Sequence, residues 1–330
     1  MYVYYTVDTE FWPRDPEHPD FSEVEEDVQR DVWGHTRDGE YGLRYQMDAL
    51  EAEGLKGVFF IEALHALKFG GRYLRDMVQT VQRRGHEAAL HIHSEWLRWV
   101  DAHPLEGVNS QVLQSFSPAQ QQWIVTRAAQ FLRESGATGI ASFRAGNYGA
   151  DRHTLRALAA EGVRYDSSYN IVFLGPQCGL HAEAPMTRPQ PMEGLIEVPI
   201  TFIRDYPGHY RPMQITAASF AEMRAALEHA HERGFPSFVF VSHGFELIRR
   251  RTDGRGEARG DSIVRRRFDE LIRYLGRNKD RYHVTTFADT DSGRLLTGMA
   301  DQSPVKGSTW RTSGRIVEQL LRRAVACKPA

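Results

Sequence analysis

The feature that most constrains this chain is a unit repeated along most of its length. A short apolar run stops at a polar residue, and an amphipathic stretch closed by glycine follows. Runs at 2–8, 56–61, 86–91, 138–143, 163–165, 195–200, 237–242 and 282–287 have the composition of strands. Between them the spacing predicts helices from about 41 to Gly54, over 72–84 up to Gly85, and from the cap pair Ser117-Pro118 to Gly136. Further helices are expected over 151–161, over 216–233 before Gly234, and through Gly276. Runs such as LKGVFFI and SFVFVS carry apolar residues in succession, which fits strands buried on both faces of a parallel sheet beneath helices. Asp8, His91, Arg144, Asp166 and His243 each fall at or just past the end of a different run. In a barrel those ends meet at one mouth, whereas a doubly wound sheet spreads them along an edge and usually carries a phosphate loop. Neither GxGxxG nor GxxxxGK[ST] is present. The expectation is therefore an α/β chain folded as a distorted (β/α)7–8 barrel over 1–300. The amphipathic segment 313–326 would lie in a C-terminal helical appendage, 301–330, packed on that barrel.

Charge and composition narrow the function. With 41 basic against 43 acidic residues among 330, the chain has no general excess that would favour a polyanion, so no nucleic-acid partner is expected. No apolar run approaches the ~20 residues that span a bilayer. The start, MYVYYTVDTE, alternates like a strand and lacks the basic and apolar regions of a cleaved signal, so a cytoplasmic location is expected. Cys178 and Cys327 form no CxxC and no disulfide framework, and neither is expected to act as ligand or nucleophile. Three irregular segments interrupt the rhythm. The excursion FWPRDPEHPDFSEVEED (11–27) reads as a functional loop, 169–193 as a surface loop near the mouth, and 254–261 as mobile.

The most pointed chemistry lies in GHEAALHIHSEW, 85–96, where His91, His93 and Glu95 fall within five residues. On a strand His91 and His93 share a face. On a helix His91 and Glu95 stand one turn apart, the usual way of offering two ligands to one ion. The plain alternative is a strand end with solvated imidazoles. Near the N-terminus Asp8 and Glu10, two apart, also share a face of a strand. Like charges that close need separate partners, a cation for one and an arginine for the other.

Six short motifs follow one another in order: VDTE, GHEAALHIHSEW, FRAGNYG, YDSS, GLIEVPI and FVFVSHGFEL. Together they resemble the carbohydrate esterase family 4 polysaccharide deacetylases, the NodB-homology group, and within it the WalW-like members associated with surface polysaccharide synthesis. The resemblance spans about residues 1–290. It implies a distorted (β/α)7 barrel, one divalent metal and removal of an N-acetyl group from a sugar in a surface polysaccharide or its precursor. By position Asp8 matches the catalytic base, His91 the first metal histidine, Arg144 the arginine that orients the base, and His243 the general acid. Asp166 is then the expected acidic partner of that acid, and Glu10 takes the ligand position of the first motif. The pattern departs from the family at three points. Thr9 separates the two acidic residues of the first motif, Glu95 stands where the second histidine usually falls, with His93 between, and Ala145 replaces the proline after Arg144. Glu95 is accordingly preferred as the ligand completing the site, with His93 as an outer or substrate contact. Zn²⁺ is expected ahead of Co²⁺, Mn²⁺ and Fe²⁺.

The chemistry stands beside that resemblance on its own terms. Amide hydrolysis needs an activated water, a polarised carbonyl and an acid for the departing nitrogen. A metal with three protein ligands and an open position provides the first two, and a carboxylate and a histidine move the protons. Two rivals remain at this level: a barrel that hydrolyses a non-sugar C–N bond, as allantoinase-like relatives do, and a metal-free barrel that binds a glycan or a partner.

Overall fold

The first apolar run forms β1 (Tyr2–Thr9), buried along all eight residues, with strands on both sides. The computed structural model describes residues 1–100, 103–105, 109–249, 258–297, 303–307, 315 and 318. Apart from 315 and 318, the expected terminal helix over 313–326 lies outside the described residues, as do most of the 301–330 appendage, 254–257 of the 254–261 segment, and Cys327.

From β1 the chain passes through α1 (Val24–Asp31) and α2 (Leu43–Ala52) into β2 (Val58–Glu62). Then come α3 (Arg72–Arg83), β3 (Glu87–Ile92), α4 (Pro118–Glu134), β4 (Ser142–Ala145), α5 (Arg152–Ala160) and β5 (Tyr165–Asp166). A hairpin of β6 (Gln190–Met192) and β7 (Leu195–Glu197) follows, then a second hairpin of β8 (Phe202–Tyr206) and β9 (His209–Pro212). The chain continues through α6 (Phe220–Glu232), β10 (Ser237–His243), α7 (Ser262–Arg277) and β11 (His283–Val284). The sheet order is β10-β1-β2-β3-β4-β5-β7-β6, with β11 also beside β1. Every pairing is parallel except β6 with β7. The sheet curls into the expected distorted barrel, with Val7, Phe59, Leu90, Phe143 and Phe240 among its fully buried residues. Among the described residues no helix is long and apolar enough to cross a membrane.

Local signals account for the helix ends. The side chains of Ser117 and Gln120 bond each other's backbone N–H, closing the start of α4, and Asp151 caps α5 by accepting from His153 N and Thr154 N. Several strands are shorter than the apolar runs suggest, and the run 138–143 enters the sheet only at Ser142. The run 195–200 leaves the ladder after Glu197, because Pro199 has no N–H to donate. Beyond Val284, Phe287 turns into the core and stacks on Tyr4, with ring centroids 4.2 Å apart. The excursion 11–27 holds a helix that its polar composition concealed, since α1 buries Asp27, Val28 and Asp31 rather than an apolar stripe.

The seam between β7 and β10 is closed by coil. Met213 N donates to Thr201 O (2.7 Å), Val241 N to Met213 O (2.9 Å) and Ile215 N to Val241 O (3.1 Å). This patch of single bonds is what makes the barrel irregular.

Candidate active site

Parallel pairing alone brings the chemistry together. The register sets Asp8 opposite His243, and His91 opposite Glu62 on one side and Arg144 on the other. Glu10 and His93 lie just past the ends of β1 and β3, each one residue beyond, after Thr9 and Ile92 in turn. Thus the predicted residues Asp8, Glu10, His91, His93, Arg144 and His243 occupy one mouth.

Glu10, His91 and His93 each offer one ligand atom, no two of them more than 4.8 Å apart. All three residues are buried. His91 Nδ1 donates to the Arg144 carbonyl at 2.7 Å, which fixes the tautomer and leaves Nε2 as a lone-pair donor. His93 Nδ1 contacts Glu95 Oε2 at 3.2 Å, so its Nε2 is likewise free to ligate. Those two nitrogens lie 3.5 and 2.5 Å from Glu10 Oε2, a buried oxygen that makes no hydrogen bond of ordinary geometry. Two imidazole nitrogens and one carboxylate oxygen converging on a point fit a divalent ion with an open coordination position.

Glu95 is therefore placed differently from the sequence-based expectation. No α-helical turn brings it beside His91, because the chain after β3 runs into the 3₁₀ segment Ser94–Trp99. Glu95 instead stands behind His93, and its other oxygen accepts from Asn147 Nδ2 at 2.6 Å. His93 takes the inner position. Glu62 adds a second anchor, since its carboxylate receives the His93 N–H at 3.4 Å along with the amides of Leu64 and His65.

Close packing on His93 comes from Gly146, where a Cβ would stand 2.6 Å from both Cγ and Nδ1 of the ring. Gly146→Ala is expected to push the imidazole out of line and lower metal affinity by roughly 10- to 100-fold, the range for disturbed ligand orientation. Metal titration calorimetry on the folded variant checks it. Glu95→Gln is expected to fall in the same range.

Burial works against charge on both Glu10 and His93. For Glu10 the His93 charge, with the close approach of both imidazoles, outweighs burial and holds the carboxyl well below its usual range. For His93 the charges of Glu10 and Glu95 outweigh burial and raise it well above the usual histidine value. A cation must displace the His93 proton to bind, so metal affinity is expected to rise with pH, with about one proton released per ion. Binding heats compared between buffers of different ionisation enthalpy measure that proton.

The base and the acid occupy the other half of the mouth. Arg144, fully buried, donates from Nη1 to Asp8 Oδ1 at 2.7 Å and to Thr6 Oγ1 at 2.8 Å. Its Nε donates to the Ser167 carbonyl and its Nη2 to Ser167 Oγ, so the YDSS turn fixes the guanidinium that fixes Asp8. His243 Nε2 lies 3.8 Å from Asp8 Oδ2, and Nδ1 lies 3.0 Å from Glu246 Oε1. Gln214 Nε2 and Thr216 Oγ1 also donate to Glu246. Burial lowers the His243 pKa, but the Glu246 hydrogen bond and charge, with Asp8 and Glu10 behind them, raise it to about 9.

The expected pairing of Asp166 with His243 is absent. Asp166 accepts from Ser168 Oγ at 2.6 Å, and that hydroxyl accepts from Ala145 N, so Asp166 shapes the turn beneath Arg144. Its strand neighbour is Glu197. Burial pushes both carboxyls up, and the Asp166 charge adds to the rise at Glu197. Sequence reading missed Glu246 as the partner of His243. The signal was present in HGFE, a carboxylate three residues after the histidine, although an i to i+3 contact beyond a strand needs a turn that spacing alone does not specify.

No protein-family model matches the sequence, and no curated protein matches it. Among solved structures it is similar to a "putative polysaccharide deacetylase" from Mycobacterium smegmatis, with a TM-score of 0.54 and 18% identity over 92% of this chain and 94% of that one. It is also similar to a family 4 carbohydrate esterase from Streptomyces lividans, solved in complex with acetate, at 12% identity over 85% and 90% with a TM-score of 0.41. The first of these carries the comparison of folds. That likeness shows the fold, a distorted (β/α) barrel.

Proposed function

We propose that this chain is a metal-dependent hydrolase that removes an N-acetyl group from a sugar in a surface polysaccharide or its precursor. The observation that supports it most directly is the pairing, at one mouth, of a Glu10–His91–His93 donor set with an Arg144-held Asp8 and a Glu246-held His243. A divalent ion there, Zn²⁺ ahead of Co²⁺, Mn²⁺ or Fe²⁺, supplies Lewis acidity for the amide carbonyl and for water. Asp8 takes the proton of the attacking water, with Arg144 orienting the carboxylate and balancing its charge. His243 protonates the departing nitrogen, and Glu246 holds the ring so that Nε2 faces the mouth.

Acetate release from a panel of N-acetylated sugars, with Zn²⁺, Co²⁺ or Mn²⁺ added and with chelator as control, tests the reading. Release that depends on metal is expected. No release from any sugar under any of the three ions overturns it.

A further inference from the structure

The excursion between β1 and α1 places an indole beside the ligand set. Trp12, half-buried, lies 4.8 Å from the His93 ring, centroid to centroid, with the planes at 83°. It stacks on buried Trp96 at 5.8 Å and 15°, and half-buried Trp99 stands at 6.2 Å and 70°. The backbone of Trp12 is pinned from α1 at both polar groups. Its N–H donates to Asp31 Oδ2 at 3.1 Å, and its carbonyl accepts from Arg30 Nη2 at 2.9 Å. Arg30 in turn is paired with Asp31 and Asp27, both buried carboxylates. Burying those charges carries a desolvation cost, and breaking one partner from such a set is strongly destabilising. The network therefore holds the Trp12 backbone at a fixed place beside the site rather than on a free loop.

We propose that Trp12 is the residue that recognises the sugar: an indole wall against which the apolar face of the N-acetylated pyranose rests while its acetamido group enters the mouth. This deepens the hydrolase reading and rests on it. A pyranose presents a face of C–H bonds polarised by its ring and hydroxyl oxygens. The negative face of an indole attracts such a surface and excludes water from it, whereas a flexible acyl chain offers no matching face. Pre-ordering the indole reduces the entropy lost when the sugar is bound.

The test takes the best acetylated pyranoside from the panel above and, as a control without a ring face, N-butylacetamide. Trp12→Ala is expected to raise KM for the pyranoside about tenfold, the size of one aromatic contact, with kcat and metal content held. Turnover of N-butylacetamide is expected to be unchanged. Trp12→Phe should restore most of the loss, whereas Trp12→Leu, which keeps apolar bulk without a π face, should not. Wild-type release of acetate with an unaltered KM in Trp12→Ala overturns the inference alone, as does an equal loss on both substrates or full rescue by leucine. A wild-type chain inert towards the whole panel overturns the hydrolase reading, and this inference with it.

Discussion

Alanine in place of His243 is expected to lower kcat by about 10²- to 10⁴-fold, the usual contribution of a positioned acid, while metal content stays at the wild-type level. The geometry separates the two quantities. His243 approaches Asp8 Oδ2 at 3.8 Å and is absent from the cluster formed by Glu10, His91 and His93. Burial lowers its pKa, but Glu246, with Asp8 and Glu10 behind it, raises it from 6.5 to about 9, and a bound cation opposes that rise. An acid is active while protonated, so the alkaline limb of the kcat profile should fall between those values. Glu246→Gln removes the charge that raises it and should move the limb towards lower pH. Rates across the neutral and alkaline range, with metal measured by mass spectrometry, check both expectations. A His243→Ala variant that loses metal in proportion to rate would remove His243 from its role as the acid.

The second large effect divides the two carboxylates of the first motif. Asp8→Asn is expected to keep stoichiometric metal and lose turnover by a similar factor of about 10²- to 10⁴-fold. Glu10→Gln is expected to weaken metal binding, with activity partly restored at high metal concentration. The basis is that each carboxylate has its own counter-charge. Arg144 binds Asp8 at 2.7 Å, and the His93 ring stands 2.5 Å from Glu10. The amide keeps the size of each side chain and removes its charge, so the comparison isolates electrostatics from packing. Initial rates across a metal titration, with bound metal measured in parallel, decide it. An Asp8→Asn chain emptied of metal beside a Glu10→Gln chain that remains full would reverse the assignment.

Much of this arrangement was legible in the sequence because a parallel strand fixes where its last residue goes. Asp8, His91, Arg144 and His243 each terminate a run, and register sets Asp8 beside His243 and His91 beside Arg144. Residues beyond the strands were read less well, since their positions depend on turns. His93 and Glu95 exchanged their expected places because the segment after β3 tightens into a 3₁₀ turn, which an apolar period does not distinguish from an α-helix over so few residues. Glu246 was missed for the same reason, and the pairing of Asp166 with His243 rested on its place in the YDSS motif, which does not specify a contact. Asp166 in fact turns towards Ser168 and Glu197 on its own side of the barrel. Helix α1 was hidden because its buried face is made of Asp27, Val28 and Asp31, so charge pairing rather than hydrophobic spacing specifies it.

The coil-closed seam sets where this barrel breathes. Seven residues of β1 are laddered to β10, whereas Met213 and Ile215 hold the seam by isolated bonds, so local opening should begin there and amide exchange should be fastest at that place. Gln214 lies in the same short segment, and its side chain grips Glu246. Each opening of the seam would loosen the carboxylate behind His243 and leave Glu10, His91 and His93, mounted on the laddered side, undisturbed. The proton donor thus inherits the fluctuations of the weakest joint in the wall, while the ion's donors share the rigidity of the strongest.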